Sequence, residues 1–266
     1  MSQIRMRPPL TYYGGKQKLA SEIISRIPEH TLYASVFAGG AAEFFAKEPS
    51  EIEILNDTNK EVMNFYQVVK TKFIDLEKMI KISLHSRDLH RDAGIIYGAP
   101  HLFTDIQRAW AVWILAAQSF SSMLDGTWGY DKTRNQTSKK VESKKVSFTE
   151  DYAIRLQNVQ LECANAIYII QSRDTVNSFF YCDPPYFNSD CGHYGGYSRS
   201  DFLGLLNSLA QIEGRFLLSS YPSPELAEFV KARNWQIVEF EQTVSVNAKG
   251  KNGKKKIEVL TANYPI

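Results

Sequence analysis

Two rhythms of apolar and polar positions run along the chain. Thr31 to Phe37 (TLYASVF) reads as a short buried strand closed by Ala38-Gly39-Gly40, and Ala41 to Lys47 has helical character. Ile52 to Leu55 is a second short apolar run that ends at Asn56-Asp57. From Thr58 to Lys72, Val62, Phe65, Tyr66 and Val69 recur at helical spacing, with Asp57 or Thr58 as the expected N-cap. Strand, helix, strand and helix in short order predict a parallel sheet wound in the Rossmann manner.

From about Phe73 to Gln160 the helical rhythm dominates, most clearly in Ile106 to Met123, where Trp110, Trp113, Ile114 and Ala117 share a face. Asp125 to Ser147 is polar and basic, with Trp128 and Tyr130 embedded in it, and is expected to be a mobile loop. Alternation resumes afterwards. Ala166 to Ile170 and Ser178 to Cys182 are predicted strands, Asp201 to Gln211 a helix, Arg215 to Ser219 a strand and Glu225 to Arg233 a helix. Two final strands, about Gln236 to Val246 and Lys256 to Tyr264, are joined by a lysine-rich turn. The expected fold is α/β, a Rossmann-like sheet closed by an antiparallel C-terminal hairpin, with a mostly helical insertion. Residues 1–72 and 161–266 would make the sheet domain and 73–160 the inserted domain.

Composition narrows the class. A chain of 266 residues with 44% apolar and 23% charged residues can bury a core, and no apolar run is long enough to span a bilayer. The N-terminus lacks the apolar stretch of a signal peptide, and Cys163, Cys182 and Cys191 show no C-x-x-C spacing. A reducing cytoplasm is therefore expected, with no disulfide framework, no zinc site and no membrane partner. Net charge is only +2, so any nucleic-acid surface must concentrate its positive charge. Two stretches could do so: Lys132 to Lys145, and the five lysines between Lys249 and Lys256. Taken alone, each reads more readily as a solvated loop.

Candidate chemistry starts at the glycine turn. Ala38-Gly39-Gly40-Ala41 lets backbone approach a ligand closely, but it is not G-x-G-x-x-G and carries no phosphate-loop lysine. Asp57, 18 residues after Gly39, lies where a carboxylate could accept from the two hydroxyls of a ribose, or could simply cap the next helix. These features suit a nucleoside-bearing cofactor without separating NAD from S-adenosylmethionine. Asp183-Pro184-Pro185-Tyr186 separates them. Two prolines just past a buried strand fix the chain direction and remove two backbone donors. A carboxylate, the Pro184 carbonyl and an aromatic plane can then receive a flat base bearing an exocyclic amine.

On these residues the chain resembles the Dam-type, or D12 class, adenine-N6 DNA methyltransferases. Tyr12-Tyr13-Gly14-Gly15-Lys16 is similar to the family's N-terminal segment, Phe37 to Gly40 to its Phe-x-Gly-x-Gly turn, Asn56-Asp57 to its ribose-binding segment and Asp183 to Tyr186 to its catalytic tetrapeptide. Arg173-Asp174 is similar to a stretch near the cofactor's adenine, and Leu260 to Pro265 to the terminal strand. The order of motifs is that of the alpha group, whose insertion reads the DNA target. The resemblance implies an S-adenosylmethionine-dependent enzyme acting on double-stranded DNA, expected to be a monomer and to need no metal. It implies catalytic roles for Asp183, Pro184, Pro185 and Tyr186, and cofactor contacts from Tyr12, Lys16, Phe37, Gly39, Asp57, Asp174 and Asp183. Lys16 would lie beside the cofactor carboxylate or on DNA. Arg134, Asn135, Lys139 and Lys140 are the expected DNA contacts. The chain departs from the family pattern at Ser35-Val36, where the family has an acidic residue and proline, and at Ala41, where it has glycine. N4-cytosine methylation, which uses the same geometry, is the alternative in the same class. A DNA-binding regulator with a decayed core is the alternative outside it.

Overall fold

The structure, a computed structural model, describes residues 6–188, 196–243 and 255–266. In chain order its elements are α1 (Ala20–Ile24), β1 (Leu32–Ser35), α2 (Ala42–Ala46), β2 (Ile52–Asn56), α3 (Lys60–Thr71), α4 (Phe73–Ile82), α5 (Arg87–Gly98), α6 (Asp105–Gln118), α7 (Gln136–Val146), α8 (Asp151–Leu156), β3 (Gln160–Glu162), α9 (Ala166–Arg173), β4 (Ser178–Cys182), α10 (Arg199–Leu209), β5 (Arg215–Ser220), α11 (Pro224–Arg233), β6 (Gln236–Thr243) and β7 (Lys255–Ala262). The strands form a mixed sheet in the order β3-β2-β1-β4-β5-β7-β6. The α/β class and the closing antiparallel hairpin are as the sequence predicts. The lysines at 249–254 and Cys191 lie outside the described residues. Among the described residues no helix is long and apolar enough to cross a membrane.

The chain divides into two compact units: residues 1–25 with 38–163, and residues 26–37 with 164–266. In the first unit β2 and β3 pair in parallel, Leu55 opposite Leu161. Helix α3 starts at Asn59, whose side-chain oxygen accepts from the amides of Glu61 and Val62, one step beyond the Asp57 or Thr58 expected. It buries Val62, Phe65, Tyr66 and Val69. Thr104 and Gln107 form a capping box at the start of α6, and nearly the whole of α6 from Ala109 to Ala116 is buried. The Arg108 guanidinium gives Glu61 two hydrogen bonds, of 2.8 and 2.7 Å, and so ties α6 to α3.

In the second unit β1, β4 and β5 run parallel, β7 lies antiparallel to β5, and β6 completes the hairpin on β7. All five residues of β4 are buried, so this strand is covered on both faces.

Two sequence expectations are corrected. Ala166 to Ile170 begins helix α9, not a strand. A five-residue apolar run fits either period; here Asn165 accepts from the Ile167 amide as an N-cap, and Ala166, Ile169 and Ile170 bury at helical spacing. The tract expected as a loop contains α7, which hides in the sequence because only Val141 of its residues is buried. The part before α7 is pinned. His85 contacts the Gly129 carbonyl through Nε2 at 2.9 Å and Ser138 Oγ through Nδ1 at 2.7 Å. A carbonyl only accepts, so in the neutral ring Nε2 carries the hydrogen and Ser138 donates to Nδ1. Trp128 stacks on Tyr130, and the Arg87 guanidinium lies over both rings.

A buried ion network joins β2 to α8 in the first unit. Lys47 Nζ lies 2.6 Å from Glu53 Oε1, and Arg155 grips the same carboxylate with both terminal nitrogens while donating to the Phe44 carbonyl. Burial alone would push the Glu53 carboxyl up; the Arg155 hydrogen bonds and the Lys47 charge more than offset this and hold it below the ordinary value. A depressed carboxyl pKa contributes stability that is present above the unfolded value and lost as pH falls through the folded one. Glu53→Gln, which leaves two buried cations short of a partner, is expected to destabilise the protein by about 3 kcal/mol in urea unfolding at neutral pH. The gap between wild type and variant should narrow as pH falls below the ordinary glutamate range. A gap unchanged down to the lowest pH at which the protein folds would contradict the network.

Candidate active site

The glycine turn of the first unit is fixed from several sides. The Ala38 amide donates to the Asn56 carbonyl at the end of β2 (2.8 Å), and the Ala41 amide donates back to Ala38 (2.6 Å). Gly39 has φ +45°, in the left-handed region that glycine adopts without penalty. Ala41, the N-cap of α2, is also left-handed at φ +50°, which accounts physically for the glycine that the resembled family carries there. The Leu10–Tyr12 segment lies against the turn. A Cβ on Gly40 would be 2.9 Å from the Leu10 carbonyl oxygen, and one on Gly39 would be 3.0 Å from the Tyr12 ring.

Asp57 holds this turn. Its Oδ2 accepts from the Gly39 amide and its Oδ1 from the Asn59 amide, both at 2.8 Å. Burial raises the Asp57 pKa, and those two backbone bonds offset the rise only in part. Asp57 is thus not the helix cap, a role taken by Asn59. Around the turn, the Tyr66 hydroxyl donates to the Gly39 carbonyl (2.7 Å), and Asn59 Nδ2 donates to the Tyr97 hydroxyl (2.9 Å). Burial, then the Asp57 charge, pushes the Tyr12 hydroxyl pKa up. The structure therefore brings Tyr12, Gly39 and Asp57 together, as the sequence suggested. Lys16 is buried, and its ammonium donates to the Gly14 carbonyl at 3.0 Å.

The residues present fit a nucleoside. Each Asp57 oxygen has a second acceptor site beyond its backbone bond, as a ribose diol requires. The turn beside it admits no side chain at Gly39 or Gly40 without a close contact. Among the described residues no group of three or more His, Cys, Asp or Glu comes together as metal ligands would.

In the second unit, β4 delivers Asp183-Pro184-Pro185-Tyr186 directly from its buried end. The Tyr186 hydroxyl lies 2.6 Å from Glu258 Oε1, 3.1 Å from Ser219 Oγ and 3.2 Å from Asp183 Oδ1. Ser219 donates to the same Glu258 oxygen at 2.8 Å. Burial, reinforced by the Asp183 and Glu258 charges, pushes the Tyr186 pKa well above its ordinary value, so the hydroxyl keeps its hydrogen. The Tyr221 ring lies against Tyr186, centroids 4.4 Å apart and tilted 60°. Phe37 stands edge-on to Tyr197 at 6.3 Å in the same unit.

Asp174 is not brought to this end of the strand. It precedes β4, and its two oxygens accept from the Glu213 and Gly214 amides at 2.8 and 2.9 Å, holding the turn into β5. A five-residue strand, roughly 16 Å long, lies between it and Asp183. Arg134, Asn135, Lys139 and Lys140 are all exposed, just before and within the first turns of α7, and the Asn135 side chain makes no cap bond.

Several contributors escaped the sequence reading. Tyr66 reads there only as a core position of α3, and Asn59, Tyr97, Ser219 and Tyr221 sit in no motif. Glu258 leaves one signal, a carboxylate inside the apolar run Ile257–Ala262 of a strand paired on both sides.

Known proteins resemble the chain along nearly its whole length. The family model described as D12 class N6 adenine-specific DNA methyltransferase matches residues 12–246, which include both the glycine turn and the Asp183 tetrapeptide. The chain is similar to the type II methyltransferase M1.LlaDCHI of Lactococcus lactis subsp. cremoris, 25% identical over 289 residues covering 99% of this chain and 97% of that protein. It is also similar to the type II methyltransferase M.FokI of Planomicrobium okeanokoites, 23% identical over 97% of this chain but only 43% of that longer protein. The chain is thus matched along most of its length, and it belongs to the D12 class of N6 adenine-specific DNA methyltransferases.

Proposed function

We propose that this adenine-N6 DNA methyltransferase takes its methyl group from S-adenosylmethionine, with Asp57 and the Tyr12–Gly39 turn receiving the adenosyl part and Asp183, Pro184 and Tyr186 receiving a flipped-out adenine. The observation that carries the reading is the tetrapeptide, fixed at the end of a fully buried strand with its tyrosine anchored through the hydroxyl. When bound, S-adenosylmethionine supplies a methyl group already activated by its sulfonium charge. The protein has then to position and polarise, and needs no strong base.

The chemistry falls to the acceptors. The N6 lone pair of adenine is delocalised into the ring and is a poor nucleophile. Asp183 and the Pro184 carbonyl each accept one amine hydrogen, which favours a pyramidal nitrogen with its lone pair available. Tyr186 offers its ring to the base and offsets part of the few kcal/mol that unstacking costs. The two Asp57 oxygens accept from the ribose hydroxyls. Lys16 stands in the segment that packs on the turn and is assigned to the cofactor carboxylate. Phe37 is assigned to the cofactor side as well, while Asp174, at the other end of β4 from Asp183, is left out.

Residues 73–160 are assigned to target recognition. Arg134, Asn135, Lys139 and Lys140 are exposed on one short stretch and suit contacts to the phosphates of double-stranded DNA. Both relatives carry type II methyltransferase names, which supports a place in restriction-modification. The described cysteines, Cys163 and Cys182, are unlinked, as suits a monomeric enzyme of the cytoplasm.

Two substitutions test the assignments separately. Asp183→Ala removes one of two acceptors and is expected to lower kcat by at least about 100-fold while DNA affinity in gel shifts stays within a few-fold; near-full activity would sink the catalytic assignment. Gly40→Ala drives a Cβ toward the Leu10 carbonyl, a backbone atom that cannot move aside cheaply. It should weaken S-adenosylmethionine binding in calorimetry by roughly tenfold or more, with DNA affinity retained. Unchanged cofactor affinity would place the cofactor elsewhere.

A further inference from the structure

Four oxygens meet behind the tetrapeptide: Asp183 Oδ1, the Tyr186 hydroxyl, Ser219 Oγ and Glu258 Oε1. Glu258 comes from β7 and Ser219 from β5, strands that pair antiparallel with Ser219 opposite Leu260 and Ser220 opposite Val259. Both residues are buried, at 6% and 0% exposure. A buried carboxylate on a strand covered on both sides is seldom retained without a partner to satisfy.

Counting hydrogens shows what Glu258 does here. A tyrosine hydroxyl has one hydrogen and cannot donate to two carboxylates at full strength. The contact to Glu258, 2.6 Å, is much shorter than the 3.2 Å contact to Asp183, so the hydrogen lies toward Glu258. Ser219 gives its hydrogen to the same oxygen. With Glu258 absent, Asp183 would be the carboxylate left among the described partners of the Tyr186 hydroxyl. A bond formed there would occupy an acceptor site that the adenine amine needs, and the hydroxyl, already 3.2 Å from Asp183 Oδ1, need only swing its hydrogen to make it.

We propose that Glu258 is a positioning residue for methyl transfer: it draws the Tyr186 hydroxyl hydrogen away from Asp183, which keeps Asp183 an acceptor for the N6 amine and holds the far end of the Tyr186 side chain in place. Ser219 is the second donor that holds Glu258 in place. The inference rests on the methyl-transfer reading above and deepens it.

A double-mutant cycle tests it. Methylation kinetics are measured for wild type, Glu258→Leu, Glu258→Gln, Tyr186→Phe and the Glu258→Leu/Tyr186→Phe double variant. Glu258→Leu is expected to lower kcat about tenfold with the KM for S-adenosylmethionine within about twofold. Glu258→Gln keeps a carbonyl acceptor and should stay within about threefold of wild type. In the Tyr186→Phe background, where there is no hydroxyl to redirect, Glu258→Leu should change kcat by less than about twofold. An equal loss in both backgrounds, a Gln variant as slow as the Leu variant, or an unaffected kcat overturns the proposal. Should Glu258→Leu fail to fold, Ser219→Ala replaces it in the cycle, with about a threefold loss expected beside Tyr186 and none beside the phenylalanine; additivity again overturns it. Thermal unfolding of the same proteins reads the Glu258–Tyr186 coupling independently of turnover. A wild type that does not methylate adenine would defeat the methyl-transfer reading, while absent coupling in unfolding would defeat the anchor.

Discussion

Strand β4 allows its chain no slack. It is buried along all five residues, registered on β1 on one side and on β5 on the other, so the backbone that leaves it at Asp183 has a fixed position and direction. Two prolines then carry that direction onward without offering a donor that could be drawn into a turn. Everything proposed for the amine-binding end depends on this rigidity. Two acceptors and a ring can polarise a nitrogen only if their mutual geometry survives without the base present. The hydroxyl contacts of Tyr186 with Glu258 and Ser219 extend the same constraint to the end of the side chain. Preorganisation here is therefore a property of three strands, β4, β5 and β7, and not of the tetrapeptide alone.

The first unit follows the same logic with different materials. Its glycine turn is held by the main-chain bond from Ala38 to the end of β2, by the Tyr66 hydroxyl and by Asp57 Oδ2, while Asp57 Oδ1 accepts from the Asn59 amide. One carboxylate thus does structural work with one lone pair of each oxygen, and the proposed ribose contacts would use the other. A buried acid used in this way needs strong compensation for its lost hydration, and the two backbone N–H bonds provide part of it. Ala41, left-handed beside Gly39, indicates that the turn tolerates some backbone strain in order to keep its course.

Much of this could be read from the sequence, for identifiable reasons. The strands around Tyr33, Ile54 and Phe180 are apolar and short, α3 and α6 carry clear helical periods, and two consecutive prolines after a buried run have few other meanings. Periodicity failed where it carries little information. Five apolar residues from Ala166 fit helix and strand alike until Asn165 is recognised as a cap, and α7 buries only Val141. Asp174 was expected near the cofactor from the family resemblance, yet it lies at the other end of β4 from Asp183, where its oxygens hold the turn into β5. Glu258 was out of reach for another reason. It lies 72 residues from Tyr186 in sequence, and only the antiparallel register of β7 on β5 puts it beside Ser219.

If the Asp183 tetrapeptide directs methyl transfer to adenine N6, its loss must abolish that modification. Base-resolved sequencing of modified bases, in DNA from cells expressing the wild type or Asp183→Ala, tests it most directly. The account predicts N6-methyladenine at one recurring sequence with the wild type and none with the variant. Methylated cytosine in its place, or the same adenine modification with Asp183 replaced, would contradict it.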